Sequence, residues 1–319
     1  MHTKKHLSFN GLRKTISKRF LQIEDYRQKG KVDHSLHDCF MSGFAMMFMQ
    51  DPSLLEFQRR MQEIIHENNL QTVFDVSSIP KDTQIRDVLD NASNDEIENI
   101  FSDFFRILQR GKQLERFQFL DGYYLIPLDG SGYFSSEKIS CPGCLTKTSK
   151  KGNTHYEHQI LQAVMVCPGE KQVIPLAPEP IRNTDGTVKQ DCEINAAKRI
   201  LKKVRKAHPQ LKIIISGDDL YSKQPFINEL KKANMSFILV AKPTDHKILY
   251  EWIEGLKKIG KVFSLKYTDL KGREHLYEWI NGIPLNGTKD ADNVNYFEYH
   301  LIVEGKVTYH NSFRNRYSC

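Results

Sequence analysis

The chain has 319 residues, of which 39% are hydrophobic and 27% charged, and its formal net charge at pH 7 is +7. This length predicts about two domains, and the composition excludes a collagen, a fully disordered chain and a small disulfide scaffold. The sequence contains no apolar run of about 18 residues and no signal-peptide core after Met1, so we expect a cytoplasmic protein without membrane contact. In that compartment the six cysteines should be thiols or metal ligands.

The positive charge is concentrated in residues 1–32, which hold nine basic residues and two acidic ones. The resulting excess of seven equals that of the whole chain, 46 Lys and Arg against 39 Asp and Glu. A basic arm of this kind is typical of proteins that contact nucleic acid, although a solvated terminus has the same composition. The arm residues predicted to contact DNA are Lys4, Lys5, Arg13, Lys14, Lys18 and Arg19.

Helical patterns follow up to about residue 115. Residues 36–49 are almost wholly apolar and predict a buried helix, and residues 52–69 carry apolar side chains at helical spacing. A third helix is expected after Pro80 with Asp82 as its cap, and a fourth over residues 94–114. Residues 1–115 therefore form the predicted basic arm and helical DNA-binding region.

Strand patterns begin at Phe117. A strand and turn are expected within residues 117–136, followed by strands within 158–169 and 172–181. Helices within 191–209 and 224–235 then alternate with apolar strands at 211–221 and 236–243. This order predicts a mixed α/β domain over 116–260, and residues 261–319 are β-rich.

Two aspartates come at the ends of apolar runs in this domain. Asp129 follows YYLIPL, and Asp218 follows LKIIIS and Gly217. Carboxylates at the ends of neighbouring strands can hold hard divalent ions such as Mg²⁺. The alternatives are an Asp-Gly turn for Asp129 and a helix cap for Asp218.

Six motifs in this order resemble insertion-sequence transposases of the DDE type: LIPLDGSGYFSS, CPGCLTK, VIPLAPEPI, KQDCEINAAKRIL, IIISGDDLYSKQPFI and FILVAKP. The resemblance covers roughly residues 35–310. It implies an RNase H-like catalytic core at 116–260, Mg²⁺ or Mn²⁺ bound by the catalytic residues Asp129 and Asp218, and cleavage and transfer of DNA strands. The implied partner is double-stranded DNA at element ends, with a homodimer in the DNA complex. Asp219 is a lesser candidate, because its side chain should point elsewhere.

The third acid of that family is not evident. It is expected on a helix after a β-rich insertion, and residues 261–309 resemble such an insertion. Glu278, Glu298 and Glu304 lie instead in apparent strands or a turn. This predicts a truncated transposase, with a complete but divergent enzyme as the alternative. A non-catalytic DNA-binding remnant and a metal-dependent nuclease remain competing functions.

A cysteine and histidine cluster predicts a second kind of metal site. Cys141 and Cys144 form a C-x2-C turn, and His155 and His158 follow, so four ligands for Zn²⁺ are available. The spacing of the two histidines is short for a zinc finger, Cys167 could replace one of them, and a reduced surface CxxC is the alternative.

Basic residues elsewhere extend the expected DNA contacts. Lys198 and Lys202 lie on the helix after Asp191, beside the predicted catalytic aspartates, and Arg86 lies in the segment that resembles a pre-catalytic part of the family. A basic face beside a DNA-cutting site can neutralise phosphates, which makes affinity fall with salt. Most such faces are simply solvated.

Overall fold

Serine hydroxyls cap the N-termini of the first two helices of the protein. The computed structural model describes residues 7–28, 30–92, 95–183 and 190–315. Ser8 Oγ accepts a hydrogen bond from the Gly11 amide at 3.2 Å, and Ser35 Oγ accepts one from the Asp38 amide at 2.9 Å. Such caps satisfy amides that have no partner inside the helix. The helices are α1 (Phe9–Phe20), α2 (Leu36–Met49), α3 (Leu54–Met61), α4 (Ile64–Phe74), α5 (Asp82–Asp90), α6 (Asp95–Arg110), α7 (Glu193–Ala207), α8 (Gln224–Lys232) and α9 (Lys247–Lys258).

The chain divides into two compact units between Leu114 and Glu115. The first unit contains α1 to α6 around one apolar core. Phe57, Met61, Leu70 and Phe74 are among its most buried side chains. Within the described residues, the second unit contains α7 to α9 and all of the strands.

Three features of the first unit differ from the expectations. Part of the predicted basic arm is the helix α1, because the apolar side chains of Ile16 and Phe20 enter the core. The helix expected over 52–69 is broken into α3 and α4, a break that periodicity could not reveal because both pieces face the same core. Asp82 does not cap α5: it is the first helical residue, and its amide donates to Gln58 Oε1 at 3.0 Å.

The second unit is built on one large mixed sheet. Its strands are β1 (Gln118–Phe119), β2 (Tyr123–Ser136), β3 (Leu145–Thr148), β4 (Thr154–Met165), β5 (Ile174–Pro175), β6 (Glu179–Ile181), β7 (Ile213–Gly217), β8 (Ser236–Val240), β9 (Phe263–Thr268), β10 (Glu274–Pro284), β11 (Asn293–Val303) and β12 (Lys306–Asn315). The main order is β3-β4-β2-β7-β8-β12-β11-β10-β9. The short strands β1, β5 and β6 pair beside this path.

Among the described strands, the parallel pairs lie at the centre of the sheet. Strand β2 is antiparallel to β4 but parallel to β7, and β7 is parallel to β8. Ile213, Ile214 and Ile215 of β7 are almost fully buried, as expected for a parallel strand with both faces covered. Helix α7 presents Ile200 and Leu201 to this core.

The β-rich segment after residue 260 continues the same sheet. Strands β9 to β12 pair antiparallel with one another, and β12 pairs with β8 through Leu239 and Arg314. The predicted hairpins are therefore present, but they extend the central sheet rather than standing apart from it. Sequence periodicity indicates strands and does not specify which edge a hairpin joins.

Candidate functional site

Asp129 and Asp218 lie at matching positions along the parallel pairing of β2 and β7, with Asp218 one residue beyond the end of β7. The last residue pair between β2 and β7 joins Pro127 to Ser216, and each aspartate comes two residues later. Residues two apart share a face of a strand, and neighbouring strands lie about 4.8 Å apart. Extending the register by two residues therefore aligns Asp129 with Asp218 at the same edge of the parallel part of the sheet.

The surroundings of the pair leave both carboxylates accessible. Both aspartates are exposed. Asp218 Oδ1 accepts a hydrogen bond from the Leu220 amide at 2.9 Å, so it also caps the short turn that follows. The turn predicted at Asp129 is not formed, because β2 continues through Gly130 to Ser136. Within the described ranges, neither aspartate forms an ion pair.

A third carboxylate, which the sequence reading missed, lies beside the pair. Glu193 in the first turn of α7 accepts a hydrogen bond from the hydroxyl of Tyr221. Burial raises the pKa of Tyr221, as do its bond to Glu193 and the nearby charges of Asp218 and Asp129. The charges of three carboxylates, those of Glu193, Asp218 and Asp129, thus act on the phenol of Tyr221. Two signals were available: the motif KQDCEINAAKRIL, which contains Glu193, and the motif that holds Tyr221, three residues after Asp218.

Two glycines make this arrangement sterically possible. A Cβ atom built on Gly130 would lie 2.5 Å from Glu193 Oε2, and one on Gly217 would lie 2.5 Å from Cδ2 of Tyr221. Any side chain at these positions would displace the groups beside Asp129 and Asp218. The Asp-Gly and Gly-Asp pairs of the sequence therefore serve close packing of Glu193 and Tyr221.

Asp219 points away from this site, as expected. Its buried carboxylate accepts from the Lys242 amide at 2.9 Å, and its Oδ1 lies 2.9 Å from His246 Nε2. Burial alone would raise the pKa of Asp219, but these contacts and a bond from Ser222 lower it. Asp219 is thus part of the interior.

The three glutamates considered for a third acid lie elsewhere on the sheet. Glu278 and Glu298 belong to β10 and β11, where each carboxylate lies 2.9 Å from Lys257 Nζ. Glu304 lies in the turn between β11 and β12 with φ of 51°. Strands β7, β8 and β12 separate β11 from β2, so none of these residues adjoins Asp129.

Cys141, Cys144 and His158 form a compact cluster. The two sulfur atoms are 3.5 Å apart, and His158 Nε2 lies 3.3 Å from Cys141 Sγ and 3.5 Å from Cys144 Sγ. Tyr133 stacks on the His158 ring with centroids 5.8 Å apart, which fixes the imidazole. Burial raises the pKa of the Cys144 thiol. Two sulfurs and one imidazole nitrogen are a ligand set that Zn²⁺ prefers.

His155 and Cys167 do not join this cluster. The two histidines are three residues apart on β4, an odd spacing that places them on opposite faces of the strand. His155 Nε2 lies instead 3.5 Å from Glu137. The Cys167 thiol is directed at the carbonyl oxygen of Gln118, 3.6 Å away. The expected four ligands thus become three in the part of the chain described.

The predicted DNA-contact residues of α1 separate into two groups. Arg13 is buried and paired with Asp75, and Arg19 forms a bidentate pair with Asp103 at 2.6 and 3.0 Å. These guanidinium groups hold α1 to the rest of its unit, because a helix with a buried face places some basic side chains inside. Lys14 and Lys18 are exposed.

The other basic candidates among the described residues are exposed or half-buried. Arg86 is exposed, 3.9 Å from Asp82. Lys202 on α7 is exposed and Lys198 is half-buried, and both lower the pKa of Glu229, whose main partner is Lys232. Lys4 and Lys5 lie outside the described residues.

Comparison with known proteins found no related sequence and a weak structural similarity. No family model and no curated protein matches the sequence. A cryo-EM structure of the piggyBac transposase synaptic complex with hairpin DNA is similar to this chain at 14% sequence identity and a TM-score of 0.37. The match covers 96% of this chain and 57% of that chain, so the present chain spans little more than half its length. Among the described residues, no helix is long and apolar enough to cross a membrane.

Proposed function

We propose that the protein is a DNA transposase of the DDE type, with an RNase H-like core formed by β3, β4, β2, β7, β8 and their helices. The observation that carries the proposal is the alignment of Asp129 on β2 with Asp218, one residue after the neighbouring parallel strand β7. The motifs around both residues resemble insertion-sequence transposases, which supports the same assignment.

The donor atoms beside the pair suit Mg²⁺ or Mn²⁺. They are carboxylate oxygens, the ligands that hard divalent ions prefer. Asp129 and Asp218 would hold the metal, and they are exposed, so solvent and a phosphodiester can reach them. When bound there, the ions polarise the phosphodiester and lower the pKa of an attacking water. Glu193 and Tyr221 act as positioning residues, because their hydrogen bond fixes the wall of the site.

DNA binding is assigned to basic side chains that remain at the surface. Lys198 and Lys202 lie on α7, whose first residue is Glu193. Lys14, Lys18 and Arg86 provide an exposed basic surface on the helical unit. Recognition of element ends and dimerisation on DNA belong to the same proposal.

Metal binding is the direct test. Mn²⁺ binding, followed by electron paramagnetic resonance, should be lost or weakened at least tenfold in Asp129→Asn and Asp218→Asn. Asp121→Asn is the matched control, because Asp121 is an exposed acid just before β2 with φ of 49°, which asparagine tolerates. Unchanged Mn²⁺ affinity in the two site variants would refute the assignment.

DNA assays separate the competing functions. Wild-type protein and Asp218→Asn should bind a plasmid equally without metal, with affinity falling as salt rises. Joining of a cleaved end to a second plasmid in Mg²⁺ would support a transposase. Nicking without joining would favour a nuclease. Binding without either reaction would favour a non-catalytic DNA-binding protein.

The lysines of α7 provide a finer test of the DNA surface. Each lost phosphate contact should reduce the slope of log affinity against log salt by about 0.9. Lys198→Gln and Lys202→Gln together should therefore reduce it by up to about 1.8. Lys171→Gln is the control, since Lys171 is exposed and distant in sequence from the aspartate motifs.

We also propose that Cys141, Cys144 and His158 hold Zn²⁺. The support is the mutual approach of three ligand atoms within 4.8 Å. Metal analysis should find about one zinc per chain fewer in Cys141→Ser/Cys144→Ser than in the wild type, whereas Cys192→Ser, which changes an exposed thiol elsewhere, should match the wild type. Equal zinc content in all three proteins would contradict the site.

A further inference from the structure

A second group of metal-type ligands lies on the hairpin of β11 and β12. His300 and His310 are directly opposite one another on the two strands. Glu298 precedes His300 by two residues, so its side chain shares the same face. Their ligand atoms all lie within 4.8 Å of one another. No motif predicted this group, because its members come together only through the pairing register.

One carboxylate oxygen faces both imidazoles. Glu298 Oε1 lies 2.7 Å from His310 Nε2 and 3.2 Å from His300 Nε2. The other oxygen, Oε2, is 2.9 Å from Lys257 Nζ, which fixes the carboxylate without occupying Oε1. The two rings also stack, with centroids 4.5 Å apart.

The Nε2 atom of His300 is buried and forms no hydrogen bond with the described residues. Glu298 Oε1 is near it but does not form a hydrogen bond with it. Glu298 Oε1 at 3.2 Å and Glu278 Oε2 at 3.9 Å make its surroundings negative, and a bound cation would satisfy this nitrogen. In a tetrahedral zinc site, with bonds of about 2.0–2.1 Å, ligand atoms lie about 3.3 Å apart. The separations of 2.7 and 3.2 Å require only small adjustments to reach that distance.

Charge and access also favour a cation. Glu278 and Glu298 contribute two negative charges, and Lys257 contributes one positive charge, so the group is net negative when both histidines are neutral. The His310 side chain is 38% exposed and Glu298 only 7%. The group therefore opens to solvent on the histidine side, which leaves a route for an ion and a coordination position for water.

We infer that Glu298, His300 and His310 bind a divalent transition metal, with Zn²⁺ as the reference ion. Two imidazoles and one carboxylate are the ligand set of three-ligand zinc sites. The ion would join β11 to β12 on the side of the hairpin that contacts Lys257. This site is separate from the proposed catalytic aspartates and from the cysteine cluster, and neither proposal depends on it.

Zinc titration of the full chain with Cys141→Ser and Cys144→Ser tests the inference, since the cysteine cluster is then removed. We expect this chain to bind one Zn²⁺, and a further His300→Gln or His310→Gln change to weaken binding at least tenfold. His275→Gln is the matched control, because His275 also lies on this sheet and near an acid, Asp269, at 3.3 Å. Equal zinc affinity with and without the His300 and His310 changes would overturn the inference.

Cobalt provides a readout that requires no histidine variant to fold. Co²⁺ bound to the chain with Cys141→Ser and Cys144→Ser should show the visible d–d bands of a four- or five-coordinate site. It should show no thiolate charge-transfer band. Zn²⁺ should displace the cobalt and raise the melting temperature, because a ligand that binds only the folded chain stabilises it. If no such bands appear and the melting temperature is unchanged by zinc, the group is an ion-pair network alone.

Discussion

Replacing Arg314 with leucine should stabilise the protein. Arg314 lies on β12 opposite Leu239 of β8 and is 0% exposed. Its Nη1 donates to the Ser222 carbonyl at 3.2 Å, but Nε and Nη2 have no hydrogen-bond partner within the described chain. Burial lowers the pKa of Arg314 to about 10, although the charge of Asp219 opposes this change. The guanidinium is therefore a desolvated cation with incomplete compensation.

The magnitude follows from these contacts. A pKa of about 10 against the usual 12.5 corresponds to about 3 kcal/mol of unfavourable burial. Loss of the bond to Ser222 costs about 1 kcal/mol. Arg314→Leu should therefore raise the free energy of unfolding by about 2 kcal/mol, or the melting temperature by about 4–8 °C for a unit of this size.

Urea denaturation followed by circular dichroism would measure the change, with an unchanged m-value as evidence that the same structure unfolds. Arg205→Leu is the contrasting control, because the Arg205 guanidinium donates to five carbonyl oxygens, those of His208, Pro209, Leu211, Ala233 and Asn234. That change should destabilise. A destabilised Arg314→Leu protein would show that the buried guanidinium is better compensated than its contacts indicate.

Three further predictions concern the same unit. Burial, together with the charge of Arg314, lowers the pKa of His246 to about 4. The unfolded chain therefore binds a proton near pH 6.5, whereas the folded chain does so only near pH 4. Up to about 3 kcal/mol of the free energy of unfolding should be lost as the pH falls from 6.5 to 4. Denaturation of His246→Gln across this range should show a shallower loss, and an identical pH profile would exclude His246 as the cause. Tyr221→Phe should cost about 1.5–3 kcal/mol, because it removes a hydrogen bond to the carboxylate of Glu193. Gly130→Ala displaces that carboxylate, so chemical denaturation of the double variant should give less than the sum of the single effects; strict additivity would mean that the two changes act independently.

The order of helices and strands could largely be predicted because each apolar pattern is local. Strand β7 is an isoleucine-rich run, and α7 has a clear apolar stripe. Helix α1 was less evident, since its basic side chains conceal a buried face that includes Arg13. A charged residue inside a helix interface needs its partner, here Asp75, and that partner lies 62 residues away.

The candidate sites show the same division between local and distant information. Asp129 and Asp218 could be proposed because each follows an apolar run in the sequence, and Cys141 and Cys144 because their spacing is short. Glu193 could not be identified in this way, since its role arises from packing against Gly130. The opposite faces of His155 and His158 could have been inferred, because an odd spacing on a strand separates them.

The pairing of β12 with β8 has a consequence for the order in which the chain can fold. Positions 239 and 314 are paired although 75 residues separate them, and contacts so distant in sequence form slowly. During synthesis β8 emerges well before β12, with Phe237 and Leu239 already able to pack. Until β12 arrives, one side of β8 is an open strand edge that other chains can pair with. The nascent protein should therefore be most prone to aggregation while the ribosome is translating the segment between these two strands.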